Sequence, residues 1–229
     1  MGRSCRERGA PTQPEAGWLR RLQPFCRIPR LGPLSGALIF ILTLLSIFFA
    51  PDLCGQTLFA VDFEKEEVGK FPAGWSSRDR ENMGGVYSVR IEEGRRFLHA
   101  DARGISVPIG HERAWNLGEF PFLRWRWRAL VFPEGSDERK KSGNDSPLSV
   151  YVLLGGWPIP RSVKYTWSDT LPAGTVFDSP LSGKTKIIVL RSGRSMAGKW
   201  VPEERNVLAD YRRLFGGGEK ILPPGEFLF

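Results

Sequence analysis

The sequence predicts an all-β domain, an antiparallel β-sandwich that carries one C-terminal α-helix. The main observation is the stretch 123–131, Leu-Arg-Trp-Arg-Trp-Arg-Ala-Leu-Val, in which apolar and cationic residues alternate. Successive side chains of a strand point to opposite faces, so this alternation predicts one packed face and one cationic face. In a helix the same residues would mix around the axis and give no clean apolar face. Elsewhere, short β-prone runs lie between glycine and proline turns, which favours the same class.

The other predicted strands are runs in which apolar residues alternate or cluster between turn residues. They cover 59–63, 85–91, 96–101, 105–109, 148–154, 163–167 and 186–191. The predicted helix is marked by apolar residues at spacings of three and four, from Val207 to Phe215. Pro202 and Glu203 suit the first turn of this helix, and Gly216 suits the position that follows its last turn.

The N-terminal part of the chain predicts export. Residues 1–30 carry seven arginines and two glutamates, a net charge of +5 out of +8 for the whole chain. The basic character therefore belongs to this segment and does not indicate nucleic-acid binding by the domain. Because its residues follow no period, we expect residues 1–30 to be disordered.

The segment 31–53 predicts an N-terminal hydrophobic helix, since residues 31–51 carry no charged side chain. Its length suits either a signal peptide or a signal-anchor transmembrane helix, and both alternatives stay open. Arginines precede it, so the positive-inside rule places the following domain outside the cytoplasm. The expected location is the periplasmic side of the inner membrane, held by this segment, or the periplasm or exterior after cleavage.

Residues 56–216 form the predicted β-sandwich domain, and the glycine- and proline-rich residues 217–229 form a predicted irregular tail. The three cysteines, Cys5, Cys26 and Cys54, all precede the domain. The domain therefore needs neither a disulfide nor cysteine chemistry.

Several motifs together resemble DUF3047, a bacterial family of exported proteins of unknown function. The motifs are Pro72-Ala-Gly-Trp75, Phe122-Leu-Arg-Trp-Arg-Trp-Arg128, the loop with Asp137, Glu138, Asn144 and Asp145, Tyr165-Thr-Trp167, and the series Trp200, Glu204-Arg-Asn-Val207, Asp210-Tyr-Arg212 and Phe215-Gly216. The resemblance covers 59–216. It implies a secreted or periplasmic β-rich domain, similar in plan to the jelly rolls of concanavalin type, and it implies no established activity.

The chain departs from that family pattern at three places. Asn144 stands where the family usually has the first of two aspartates, and Ser149 stands where an arginine is common. After Gly216 the family continues through an Asp-rich segment into a closing strand, whereas residues 217–229 differ here. This difference predicts a C-terminally truncated domain with an unpaired sheet edge.

The predicted ligand-binding residues are Arg124, Arg126, Arg128, Trp127, Tyr165 and Trp167. Guanidinium groups match carboxylate and phosphate, so the arginine row suits an anionic glycan or a lipid head group. The alternative is a solvated row in which the arginines pair with neighbouring carboxylates and pack over aromatic rings. The aromatic residues suit sugar stacking, with burial in the core as the alternative.

A metal site is predicted in the polar loop, with Asp137, Asn144 and Asp145 as ligands. Calcium takes several oxygen ligands from one loop, which is the chemistry that these side chains offer. Their spacing fits no defined calcium loop, so a plain solvated loop is the alternative. No other cofactor is predicted.

Four residues are considered as candidates for catalysis, two histidines and two glutamates. The two histidines, His99 and His111, sit in no triad or metal-ligand spacing, and packing or surface roles explain them. Glu203 and Glu204 could serve glycosidic chemistry, but a helix first turn also explains them. The predicted function is a non-catalytic envelope module that binds a glycan or another envelope component. The alternatives are a polysaccharide-acting enzyme and a structural or assembly protein without a small ligand.

Overall fold

The computed structural model describes residues 57–155, 160–216 and 225–228. The predicted disordered segment 1–30 and the predicted hydrophobic helix 31–53 lie outside these residues. Within them, every helix is too short or too polar to cross a membrane.

The described residues are mainly β, with two short α-helices. The strands are β1 Trp75–Ser76, β2 Tyr87–Glu92, β3 Arg95–Ala100, β4 Gly110–Trp115, β5 Phe122–Trp127, β6 Leu148–Leu154, β7 Arg161–Ser168, β8 Val176–Ser179, β9 Ser182–Ser192, β10 Val201–Asn206 and β11 Gly225–Leu228; the helices are α1 Arg80–Val86 and α2 Val207–Phe215. This composition confirms the predicted mainly-β class with one C-terminal helix.

The strands form one large sheet and two strand pairs. The large sheet has the order β1-β4-β11-β6-β7-β9-β8, and the pairs are β5–β10 and β2–β3. The sheet is mixed rather than purely antiparallel, because β7 and β9 run parallel. The chain leaves β7 for the sheet edge at β8 and returns through β9, which therefore lies between the other two.

Strand β5 covers only part of the predicted strand 123–131 and ends at Trp127. The alternation of exposure continues beyond the strand end at Trp127 as far as Ala129, which is 1% exposed. After that the phase changes, since Val131 is 80% exposed and Phe132 is 8% exposed. The ladder with β10 ends at Trp127, and beyond it the carbonyl of Ala129 accepts a backbone hydrogen bond from Gly198 at 2.9 Å outside any strand.

The main core lies between the β5–β10 pair and the large sheet. Its buried side chains come from both layers and include Trp127, Val152, Tyr165, Ile188 and Val201. A second, smaller core cluster contains Trp75, Val86, Val107 and Ile109. The Arg/Trp strand is therefore packed on one side, as its alternation predicts.

The C-terminal helix begins later than predicted. The segment from Pro202 to Glu204, which the sequence places in the first helical turn, belongs to β10 and pairs with β5. Helix α2 begins after Asn206, whose side-chain oxygen accepts the N–H of Ala209 at 2.9 Å. It ends at Gly216, which adopts the left-handed conformation with φ 66°.

The end of the chain also differs from the prediction of an irregular tail and an unpaired edge. Residues Gly225–Leu228 form β11, which pairs antiparallel with both β4 and β6. This strand occupies an interior position of the large sheet. Its backbone N–H and C=O groups therefore form hydrogen bonds with the strands on both sides.

Candidate functional site

The β5–β10 pair presents the predicted division into an inner and an outer face. Across the two strands, Trp127 lies opposite Val201 and both are buried, whereas Arg126 lies opposite Pro202 and both are exposed. The outer face of this pair is therefore the surface on which the arginine row lies. It is the candidate functional site.

Arg124, the first arginine of the row, is paired within the sheet. Its guanidinium donates to the carboxylate of Glu204, directly across the ladder on β10. The two side chains are 70% and 50% exposed, so water screens the attraction and its net contribution is about 0–1 kcal/mol.

The guanidinium groups of the other two arginines both lie near one indole ring. The guanidinium carbon of Arg128 lies 4.8 Å from the ring centroid of Trp200, and that of Arg126 lies 5.7 Å from it. The ring of Phe97 meets Trp200 edge to face at 5.3 Å, and the indole N–H donates to Glu92 at 3.3 Å. We call these five residues, Glu92, Phe97, Arg126, Arg128 and Trp200, the Trp200 cluster.

Within this cluster Arg128 is held in place. It donates to both carboxylate oxygens of Glu92, at 2.8 and 3.1 Å, and its guanidinium lies 5.6 Å from the Phe97 ring. The hydrogen bond from Arg128 is the largest of the effects that lower the pKa of Glu92. This carboxylate therefore stays charged opposite the guanidinium. Arg128 thus orients Trp200 while its own charge is balanced.

Arg126 is the arginine of the row whose guanidinium has no ion-pair partner among the described residues. Its side chain is exposed, and within the described part of the chain its contact is the Trp200 ring rather than an ion pair. A guanidinium beside an indole offers directed N–H donors next to an apolar platform. Such an arrangement can bind a ligand that combines a negative charge with a flat apolar surface.

Sequence reasoning missed Trp200, Phe97 and Glu92 as members of this site. Trp200 and Glu92 are 108 residues apart in the chain, and Phe97 lies on the β2–β3 hairpin. No local pattern connects them. Only the contact of the hairpin with the outer face of β5 brings them together.

The three aromatic residues that were predicted to bind ligand are core residues instead. Trp127, Tyr165 and Trp167 are 5%, 0% and 1% exposed. Their polar atoms are satisfied within the protein: they donate to Glu203 at 3.0 Å, to Asp210 at 2.9 Å and to the carbonyl of Gly193 at 2.9 Å. None of the three rings can be reached from solvent, which corrects their assignment as ligand contacts.

Of the predicted calcium ligands, Asp137 is engaged by neighbouring cationic side chains. Both oxygens of Asp137 accept hydrogen bonds from Arg139, at 2.8 and 3.0 Å, and these bonds hold the pKa of Asp137 well below its usual range. Among the described residues, no group of three or more His, Cys, Asp or Glu side chains is placed to hold a metal. Asn144 has a buried side-chain oxygen that finds no hydrogen-bond partner among the described residues, and Asp145 is exposed.

The same loop covers a buried charged layer on the far face of β7. Glu138 is 0% exposed and accepts a hydrogen bond from Ser168 at 2.7 Å. Lys164 is 4% exposed, and burial lowers its pKa, while the negative charges of Glu138 and Asp145 act in the opposite direction. The sequence did not identify Lys164, because the alternation with Val163 and Tyr165 predicts that it faces solvent.

Comparison with known proteins gives a family and no activity. The family described as "Protein of unknown function (DUF3047)" matches residues 73–224, about two thirds of the chain. The chain therefore belongs to this family. The comparison with curated proteins gave no match.

Proposed function

We propose that this DUF3047 protein is a non-catalytic envelope module that binds an anionic glycan on the outer face of the β5–β10 pair. The observation that carries the proposal is the exposed guanidinium of Arg126 beside the partly buried ring of Trp200. A sugar ring stacks on an indole, and a sugar carboxylate accepts from a guanidinium. Delivery to the envelope by the hydrophobic segment 31–53 is part of the proposal.

Preorganisation supports this use of the cluster. Trp200 is fixed by Phe97, by Arg128 and by its hydrogen bond to Glu92 before any ligand arrives. A ligand then orders little more than the side chain of Arg126. The cost of ordering protein side chains on binding is correspondingly small, about 0.5–1.5 kcal/mol for one long side chain.

The charge balance supports selectivity for anions at modest affinity. Arg124 is neutralised by Glu204 and Arg128 by Glu92, so Arg126 supplies the unbalanced positive charge of the face. One charge-assisted hydrogen bond contributes about 1.5–3 kcal/mol. With about 0.5–1.5 kcal/mol from one stacked ring, the sum of about 2–4.5 kcal/mol corresponds to a Kd between about 0.5 and 30 mM for a single sugar unit. A polymer that engages many copies would bind more tightly.

The layered packing supports a finer description of the fold. We infer that the β5–β10 pair and the large sheet are the two layers of a β-sandwich of jelly-roll or concanavalin-like type. Facing side chains such as Trp127 and Tyr165 share one core between the layers.

The test compares a uronic-acid oligosaccharide with its neutral methyl ester by calorimetric titration. The acid should bind and the ester should bind at least about fivefold more weakly, since the ester lacks the charge that Arg126 recognises. Arg126→Ala should remove this preference. Arg212→Ala makes the same change in net charge on the exposed side of α2 and should leave binding unchanged.

Two outcomes would refute the proposal. One is equal binding of acid and ester by the wild-type protein. The other is an Arg126→Ala protein that binds the acid as well as the Arg212→Ala protein does. Thermal melting of both variants establishes that each is folded, so that a loss of binding by Arg126→Ala is assigned to the site.

A further inference from the structure

We propose a second ligand site, for an organic ammonium group, in a cavity near the start of the described domain. The cavity has a volume of about 200 Å³ and is lined by residues between Ala60 and Glu66 together with Ala73, Trp75 and His111. Trp75 and His111 face each other across the β1–β4 pair. The glycan-binding function proposed above does not use any of these residues.

Aromatic rings from three parts of the chain meet at this cavity. Phe63 stacks on Trp75 with ring centroids 5.8 Å apart and an interplanar angle of 30°. The imidazole of His111 meets Trp75 at 5.6 Å and 73°. Trp75 is 8% exposed and forms the floor, whereas Phe63 and His111 are partly exposed at the sides. The partly exposed ring of Phe63 is the aromatic surface that a cation in the cavity can reach, and such rings attract cations.

Two carboxylates line the same cavity, and the backbone positions both of them. Asp62 accepts the N–H of Glu64 at 3.1 Å, and Glu66 accepts the N–H of Ala73 at 2.8 Å. Each bond uses one carboxylate oxygen. Elsewhere in the described chain, acidic side chains such as Asp137 and Asp169 form ion pairs, but Asp62 and Glu66 form none with a described residue. Their charge is therefore available to a ligand.

Lys65 also lines the cavity, so the lining holds two carboxylates and one ammonium. The excess of negative charge favours a cationic ligand over an anionic one. A bare metal ion does not fit this lining, because within the described residues no group of His, Cys, Asp and Glu is placed to hold one. The combination of carboxylates with aromatic rings instead matches a methylated or primary ammonium.

The local backbone adds a further sign that the site is built. Phe63 has φ 58°, a left-handed conformation that a bulky side chain rarely adopts. The turn from Phe63 to Glu66, closed by a hydrogen bond of 3.0 Å, holds it there and directs the ring onto Trp75. His111 contributes a buried Nδ1 without a hydrogen-bond partner in the described structure. The strained turn thus keeps the Phe63 ring in place against Trp75 at the cavity wall.

The test uses choline and its neutral carbon isostere 3,3-dimethylbutan-1-ol as probes. Binding is followed by chemical-shift changes of the His111 imidazole and the Trp75 indole. Choline should bind in the millimolar range and at least about tenfold more tightly than the isostere, because the two differ in charge and not in shape. Acetate serves as the anionic probe and should not bind.

Variants separate this site from nonspecific attraction. Asp62→Asn and Glu66→Gln each remove one charge while the amide oxygen still accepts the backbone N–H, so both should fold. Each should weaken choline binding at least about threefold. The matched control is Glu119→Gln, an exposed residue outside the cavity, which should bind choline as the wild type does.

The proposal is overturned if choline and its isostere bind equally, if acetate binds in place of choline, or if Asp62→Asn and Glu66→Gln bind choline as well as Glu119→Gln. A wild-type protein whose His111 and Trp75 signals do not move with choline overturns it as well. The outcome is independent of the glycan titration, since the two experiments use different ligands and different residues.

Discussion

The hydrogen bond between Tyr165 and Asp210 should be one of the strongest single links between the core and helix α2. Asp210 is 4% exposed, and its carboxylate accepts the hydroxyl of Tyr165 at 2.9 Å. It also accepts two bonds from Arg205, at 2.6 and 3.0 Å. Burial, and then the charge of Asp210, raise the pKa of Tyr165, so the hydroxyl remains a donor throughout the working pH range.

The magnitudes follow from these contacts. Tyr165→Phe removes one hydrogen bond to a charged acceptor and should cost about 1.5–3 kcal/mol of unfolding free energy. Asp210→Ala removes the acceptor of Tyr165, Arg205 and Arg213 and leaves Arg205 without its counter-charge, which should cost about 3–5 kcal/mol. Because both changes delete the same Tyr165–Asp210 bond, the double variant should cost less than the sum by about 1.5–3 kcal/mol.

Urea denaturation followed by circular dichroism measures the four free energies of this double-mutant cycle. Tyr211→Phe is the control, since its hydroxyl is partly exposed and accepts from exposed Arg161 at 3.2 Å. It should cost less than about 0.5 kcal/mol. If the two losses add to within about 0.5 kcal/mol, Tyr165 and Asp210 are not coupled and the reasoning fails.

Three further predictions follow from other contacts. Burial lowers the pKa of Lys164 from 10.5, so between that lowered value and 10.5 the unfolded chain binds more protons than the folded one. The unfolding free energy should therefore rise with pH in this range. Urea denaturation at several pH values should show this rise in the wild type and its loss in Lys164→Met. Glu203→Gln keeps an acceptor for Trp127 but removes the charge opposite Arg191, and should cost about 1.5–3 kcal/mol in chemical denaturation, whereas a loss under 0.5 kcal/mol contradicts it. Gly216→Ala forces a side chain onto φ 66° and should destabilise by about 1–2 kcal/mol; an unchanged thermal midpoint would show that α2 ends differently.

The sequence predicts the two faces of β5 but not its partner. A period of two in Trp125, Arg126 and Trp127 depends only on local geometry, so it carries over to the fold. The assignment of Pro202 and Glu203 fails because proline and glutamate suit a first helical turn as well as a strand. These residues form a strand because they pair with the edge of β5. Strand β5 is distant in the chain, so a local pattern cannot predict this pairing.

The candidate site is less predictable than the fold for the same reason. Arginines on the outer face follow from alternation, but the indole that two of them contact comes from a segment more than 70 residues later, and Glu92 comes from an earlier hairpin. The choice between core and sugar platform for Trp167 depends on what covers its ring. The alternation of residues along the strand does not predict whether this ring is covered. The ring is buried because the β5–β10 pair packs over β7.

The burial of β7 narrows the places where ligand chemistry can occur. One face of β7 supplies Tyr165 and Trp167 to the core, and the other face, with Lys164 and Ser168, lies beneath the loop that carries Glu138. A strand covered on both sides can stabilise the domain but cannot meet a polymer in solution. The β5–β10 pair differs, because its inner face completes the core while its outer face keeps cations and an indole at the surface. We therefore propose that an anionic glycan meets the protein at this strand pair, where Arg126, rather than the buried aromatic residues, provides the contact.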